Sequence, residues 1–195
     1  MSFLRPRLAA LAALALLVAP AAARAEDLAP RKQALLLLRV LVYDRNLKAR
    51  AGAAVRVAVA YRAGDGDGER ERDDVVAAFE AVSREVVAAG LPVEIAALPY
   101  RDPADFDARL AAAHPASVYA CASLRGAAKE IARASRAHGA LSATGQREAV
   151  EAGLAVGLVN RGPRAGVVVN LPAAKAEGAD LDAALLAIAE VISRP

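Results

Sequence analysis

The side chain best suited to covalent chemistry in this 195-residue chain is its single cysteine, Cys121. The run Ala116-Ser-Val-Tyr-Ala-Cys121 reads as a strand and Leu124 to Ala137 as the helix after it, so the thiol falls where α/β enzymes place a nucleophile. A helix N-terminus at that point would lower its pKa. The flanks argue against the role. Tyr119-Ala120-Cys121-Ala122-Ser123 lacks the close glycines of a nucleophile elbow, and the two histidines, His114 and His138, come from the opposite strand ends. A buried small hydrophobe is the better reading, and a Cys121-dependent enzyme ranks last among the functions considered.

The other chemical candidates fail on spacing. Gly64-Asp-Gly66-Asp-Gly68-Glu69 has Glu69 where a dinucleotide fingerprint needs its third glycine, and its acids would repel a pyrophosphate. Read as an EF-hand, it has Arg70 and Val76 in place of the required Gly and Glu. A solvated loop remains. Two isolated histidines and a distant cysteine have no metal-ligand spacing, and Cys121 stands where a phosphoacceptor domain would carry Asp. The sequence therefore predicts no catalytic residues, no cofactor and no metal, and a protein that is not an enzyme. Binding remains open at the carboxyl edge of a sheet, where open α/β folds hold ligands. Tyr61, Arg62, Tyr100, Arg101, Cys121, Ser123 and Thr144 should gather there, with Tyr and Arg as amphipathic anchors.

Those residues need strands to bring them together. Ala54 to Tyr61, Pro92 to Leu98, Ala116 to Cys121 and Ala140 to Ala143 are the expected strands, the first with Val55, Val57 and Val59 alternating onto one face. Helices are expected over Leu28 to Arg50, Asp73 to Ala89, Pro103 to Ala113 behind Asp102 as cap, Leu124 to Ala137, and Gly145 to Ala152 behind Thr144. Arg62 to Arg72 reads as a loop. Strands alternating with helices imply a parallel sheet covered on both faces. Near the C-terminus, two apolar runs flank Asn160-Arg161-Gly162-Pro163-Arg164, a turn that makes them an antiparallel hairpin at one edge. A short turn from Pro172 to Gly178 follows, and then a last helix, whose Leu181, Leu185, Ile188 and Ile192 form one stripe over the hairpin. The expected fold is a single-domain α/β three-layer sandwich, mostly parallel, with a C-terminal antiparallel hairpin.

Residues 1–25 have the parts of a secretory signal. Arg5 and Arg7 lead, Leu8 to Val18 form an apolar core too short to span a bilayer, and Ala21-Ala-Ala-Arg24-Ala25 offers small-residue cleavage. Cleavage after Ala25 leaves one domain over 26–195, with no transmembrane segment and a periplasmic or secreted location. The leader holds three arginines and no acid, so the 25 Lys and Arg, less those three, balance the 22 Asp and Glu. A neutral mature chain gives no reason to expect nucleic acid as a partner. One cysteine excludes an internal disulfide.

Three stretches together resemble the YfiR/HmsC-like family of bacterial periplasmic proteins: an apolar helix after the signal (Gln33 to Tyr43), the Gly-x-x-x-Gly-Leu-Val run (Gly153 to Val159), and a strand ending in Asn170 that leads through Ala174 and Gly178 to Leu185-Leu186 and Ala189. The resemblance implies an α/β domain that restrains a membrane-bound diguanylate cyclase from the periplasm, lowering cyclic di-GMP and biofilm formation. For such a binding protein the expected contact is an apolar patch near the C-terminal hairpin and helix, and a homodimer is compatible with it. The paired cysteines that give some members a redox response have no counterpart beside Cys121. The alternative function is a periplasmic small-ligand-binding module using the carboxyl edge.

Overall fold

The computed structural model describes residues 28–162 and 164–192. The signal expected over residues 1–25 lies outside them. A sheet of seven strands, β1 (Val55–Arg62), β2 (Val93–Tyr100), β3 (Ser117–Ala120), β4 (Leu141–Thr144), β5 (Val156–Arg161), β6 (Arg164–Asn170) and β7 (Glu190–Ile192), has the order β2-β1-β3-β4-β5-β6-β7. All neighbours are parallel except β5 and β6, which pair antiparallel from Val156↔Val169 to Arg161↔Arg164. The expected hairpin and parallel sheet are both present.

Alternation along β1 sorts two cores. Val55, Val57 and Val59 face α1 (Pro30–Val42), α2 (Leu47–Ala51) and α3 (Gly66–Ser83), with Leu37, Leu41 and Phe79 fully buried among them. Ala58 and Ala60 face the opposite layer, where Phe106 and Leu110 of α4 (Pro103–Ala113) meet Ile131 of α5 (Ala128–His138). α6 (Arg147–Glu151), α7 (Leu171–Ala176) and α8 (Ala183–Ile188) complete the layers. Asp102 caps α4 as its position predicts, its carboxylate accepting the Ala104 and Asp105 N–H groups at 2.9 Å.

Several expectations are corrected. The first helix breaks at Tyr43 and resumes as α2, because tertiary bonds hold Asp44 fully buried in the elbow. The Asp44 carboxylate accepts from Asn46 N at 3.0 Å, Asp180 N at 2.9 Å and the Arg50 guanidinium, while Arg45 N donates to Asp180 O at 2.9 Å. The loop expected from Arg62 to Arg72 is mostly helix. α3 starts at Gly66 behind the Asp65 side chain, which accepts from Asp67 N, and Asp67 and Glu69 suit the positive end of the helix. Glycine at 68 costs helix propensity but allows close approach: a Cβ there would lie 3.0 Å from Ser123 Oγ.

Further along, α5 is preceded by a 3-10 helix (Ala122–Ala127), and Thr144 does not cap α6; its Oγ1 instead accepts Gln146 N one residue earlier, at 3.2 Å. The last helix stops at Ile188, where Ala189 turns extended and the chain becomes β7 alongside β6. The helical stripe is overridden by the unpaired edge of β6 and by Glu190, which meets Arg147. The hairpin therefore lies inside the sheet, with β7 as the edge.

Candidate functional site

Strand order reverses at β1, between β2 and β3, and the crevice above this reversal is the usual ligand position in an open α/β sheet. Register brings the expected residues to this carboxyl edge: Arg62 lies beside Tyr100, and Ala120 lies level with Ala60 and Thr144. Three of them meet. Arg62 Nε donates to Ser123 O at 3.1 Å, and its guanidinium stands 5.7 Å from the Tyr100 ring centre. Tyr61 faces the other layer, where the Arg72 guanidinium lies 4.6 Å from its ring centre. Arg101 is exposed at the rim, 3.7 Å from Asp105. Cys121 and Thr144 are buried.

The crevice is filled from within. Glu71, on the second turn of α3, turns its carboxylate onto the start of the 3-10 helix and accepts Ala122 N at 2.5 Å and Ser123 N at 3.1 Å. Those N–H groups are the ones a bound anion would use. Burial, and then the Glu71 charge, push the Cys121 thiol well above its ordinary pKa. The thiolate that a nucleophile requires is thereby disfavoured.

Beside Glu71 lies a cavity of about 350 Å³ that sequence reasoning did not find. Gln33, Asp74, Tyr119, Gly145 and Gln146 line it with Glu71. Gln33 Nε2 donates to Leu28 O and its Oε1 accepts the Tyr119 hydroxyl, so a buried polar pair ties α1 to β3. Gly145 passes directly over this pair; a Cβ there would sit 2.6 Å from Gln33 Oε1. The one available signal was a glutamine on an otherwise apolar helix face.

A second buried polar centre lies off β4, against α7. Glu177 is wholly buried and accepts Ser142 N at 2.8 Å and Ser142 Oγ at 2.7 Å. Ser142 Oγ in turn accepts Ala155 N at 2.8 Å. Burial pushes the Glu177 carboxyl up to about 7, against the opposing pull of the two Ser142 bonds and of Arg136 and Arg50. Among the described residues no group of three or more His, Cys, Asp or Glu could hold a metal, and no helix is long and apolar enough to cross a membrane.

The sequence model described as YfiR/HmsC-like matches residues 71–190. No curated protein matches the chain. Among solved structures, a conserved domain protein from Vibrio cholerae superposes with a TM-score of 0.59 at 16% identity, covering 85% of this chain and 60% of that one. An ABC domain in complex with L-Trp from Streptococcus pneumonia gives 0.56 at 12%, covering 84% and 62%. A ligand-free, open substrate-binding protein with adhesive properties from Clostridium difficile gives 0.54 at 10%, covering 77% and 58%. The chain spans about three fifths of each of these structures; at such identities the likeness is one of fold.

Proposed function

The chain belongs to the YfiR/HmsC-like family, whose members are periplasmic, non-catalytic regulators in cyclic di-GMP signalling, and from this we propose that it represses a membrane-bound diguanylate cyclase by direct contact. The observation that carries the reading is the family match, which runs from the second turn of α3 to the first residue of β7. The buried, poorly acidic Cys121 and the self-filled crevice favour a binding protein over an enzyme.

The contact surface fits the C-terminal edge best. β7 pairs with β6 alone among the described residues. Beside it Ile188 is 71% exposed and Val191 38%, a cost in water that a partner would remove. The test is intracellular cyclic di-GMP in a deletion strain. A rise is expected, reversed by the exported wild-type chain and not by exported Ile188→Asp at equal abundance. No rise, in a strain that makes the nucleotide, overturns the repressor; full reversal by the variant moves the contact elsewhere.

A small-ligand-binding module is the second reading, favoured by the cavity beside Gln33 and Tyr119 at the carboxyl edge. Two structural neighbours bear ligand-related descriptions, one solved with L-Trp and one a substrate-binding protein. Thermal shift against a metabolite library that begins with amino acids tests it. A ligand at about 100 times its dissociation constant adds about 2.7 kcal/mol of stability, and a library that shifts nothing removes this reading.

A further inference from the structure

A second concavity lies elsewhere. A groove of about 790 Å³ opens between α5, α6 and the β6–α7 junction, bounded by Ile192 of β7. Lys129 and Arg136 project into it from α5. They lie seven positions apart, two helical turns or about 10 Å. Arg147 and Glu151 of α6 stand opposite.

The charges in this groove do not cancel. Arg147 is held by Glu190 and by Glu151 at 3.1 Å, so the acid in the groove is already paired with one of its cations. Lys129 and Arg136 form no ion pair among the described residues; Arg136 returns Nε to Ala132 O at 3.1 Å and acts on the buried Glu177 carboxyl from beyond ion-pair distance. Asn170 also lines the groove, but its polar atoms are committed to Val150 O at 3.2 Å and Ala173 N at 3.1 Å. The backbone at Gly153 packs beside α5: a Cβ there would be 3.6 Å from Ala132 Cβ and 4.0 Å from Arg136 Nη2. Ile192, Pro172 and Ala152 supply apolar lining between the charges. The volume is within the usual range for small-molecule sites.

We propose that this groove is a binding site for an anionic small molecule with an apolar portion, a phosphomonoester or a carboxylate, whose charge is taken by Lys129 and Arg136 and whose apolar part lies against Ile192. This site is separate from the carboxyl-edge cavity and does not rest on the repressor reading. The anionic group has two sources, a soluble metabolite or a lipid headgroup.

The test titrates the purified protein calorimetrically with butyl phosphate and with inorganic phosphate. It also measures co-sedimentation with vesicles of phosphatidylcholine, with and without phosphatidylglycerol. Butyl phosphate should bind about tenfold more tightly than inorganic phosphate, the weight of roughly two buried methylenes. The double variant K129Q/R136Q should lose about tenfold or more of that affinity. Arg133→Gln, on the same helix but outside the groove, should bind as wild type and so separates a built site from general surface charge. Phosphatidylglycerol-dependent sedimentation abolished by K129Q/R136Q assigns the lipid source, and butyl phosphate binding without sedimentation the soluble one. No saturable binding by any probe, or equal loss in Arg133→Gln, overturns the site.

Discussion

Replacing Glu177 with glutamine should flatten the pH dependence of stability across the neutral range. Burial is the leading cause that holds the folded carboxyl at about 7, against an ordinary 4.5. Between those values the folded chain keeps a proton that the unfolded chain has released. The stabilising contribution is therefore complete below about pH 4.5 and is lost as pH rises through about 7. At about 1.4 kcal/mol per pH unit, the gap amounts to about 3 kcal/mol. Glutamine mimics the protonated acid: its carbonyl can accept Ser142 N, its amide can donate to Ser142 Oγ, and no charge is buried at any pH. Urea unfolding of both proteins from about pH 4.5 to about pH 8 reads the effect, since every other titrating group contributes equally to the two curves. The variant should gain on the wild type by about 3 kcal/mol over that range. Parallel curves would refute the assignment, because a carboxyl that titrates alike in both states cannot couple to folding.

Three further outcomes follow from the same packing. Asp44→Ala strands the partly buried Arg50 guanidinium and two N–H groups, and should cost about 3–5 kcal/mol in urea unfolding; a loss under about 1 kcal/mol would remove Asp44 as the hub of the elbow. Gly145→Ala pushes the Gln33 amide off Leu28 O and the Tyr119 hydroxyl, for about 1–3 kcal/mol by the same assay, and Tyr119→Phe in that background should then cost little more. Cys121 should resist a thiol reagent near pH 8 in the native protein and react at once in urea, and rapid native labelling would contradict its burial.

Much of the fold was legible because local and global signals agree there. Alternating valines announce β1, Asp102 before Pro103 fixes the start of α4 to the residue, and the polar turn after Val159 marks the hairpin. The failures share a cause: the deciding partner is remote in sequence. At Asp44 the local bonds from Asn46 and Arg50 are joined by one from residue 180, which the nearby sequence does not announce. Residues 66–72 look like a loop until Ser123 and the N–H groups of Ala122 and Ser123 are placed beside Gly68 and Glu71. Ile192 completes a helical stripe on paper, yet pairs as a strand with Asn170. The candidate site divides in the same way. Strand ends could be placed at the carboxyl edge from periodicity, whereas the Gln33–Tyr119 pair and the Lys129–Arg136 groove depend on which helices lie against which strands.

The elbow at Asp44 also sets the order of events for a chain made from its amino end. Among its earliest structured residues, Tyr43, Asp44 and Arg45, are groups whose hydrogen-bond partners are Asp180 and Asp182, more than 130 positions later. The clasp cannot shut until nearly the whole polypeptide has emerged. A stop codon even a few dozen nucleotides early would remove the latch while leaving most of the sheet encoded.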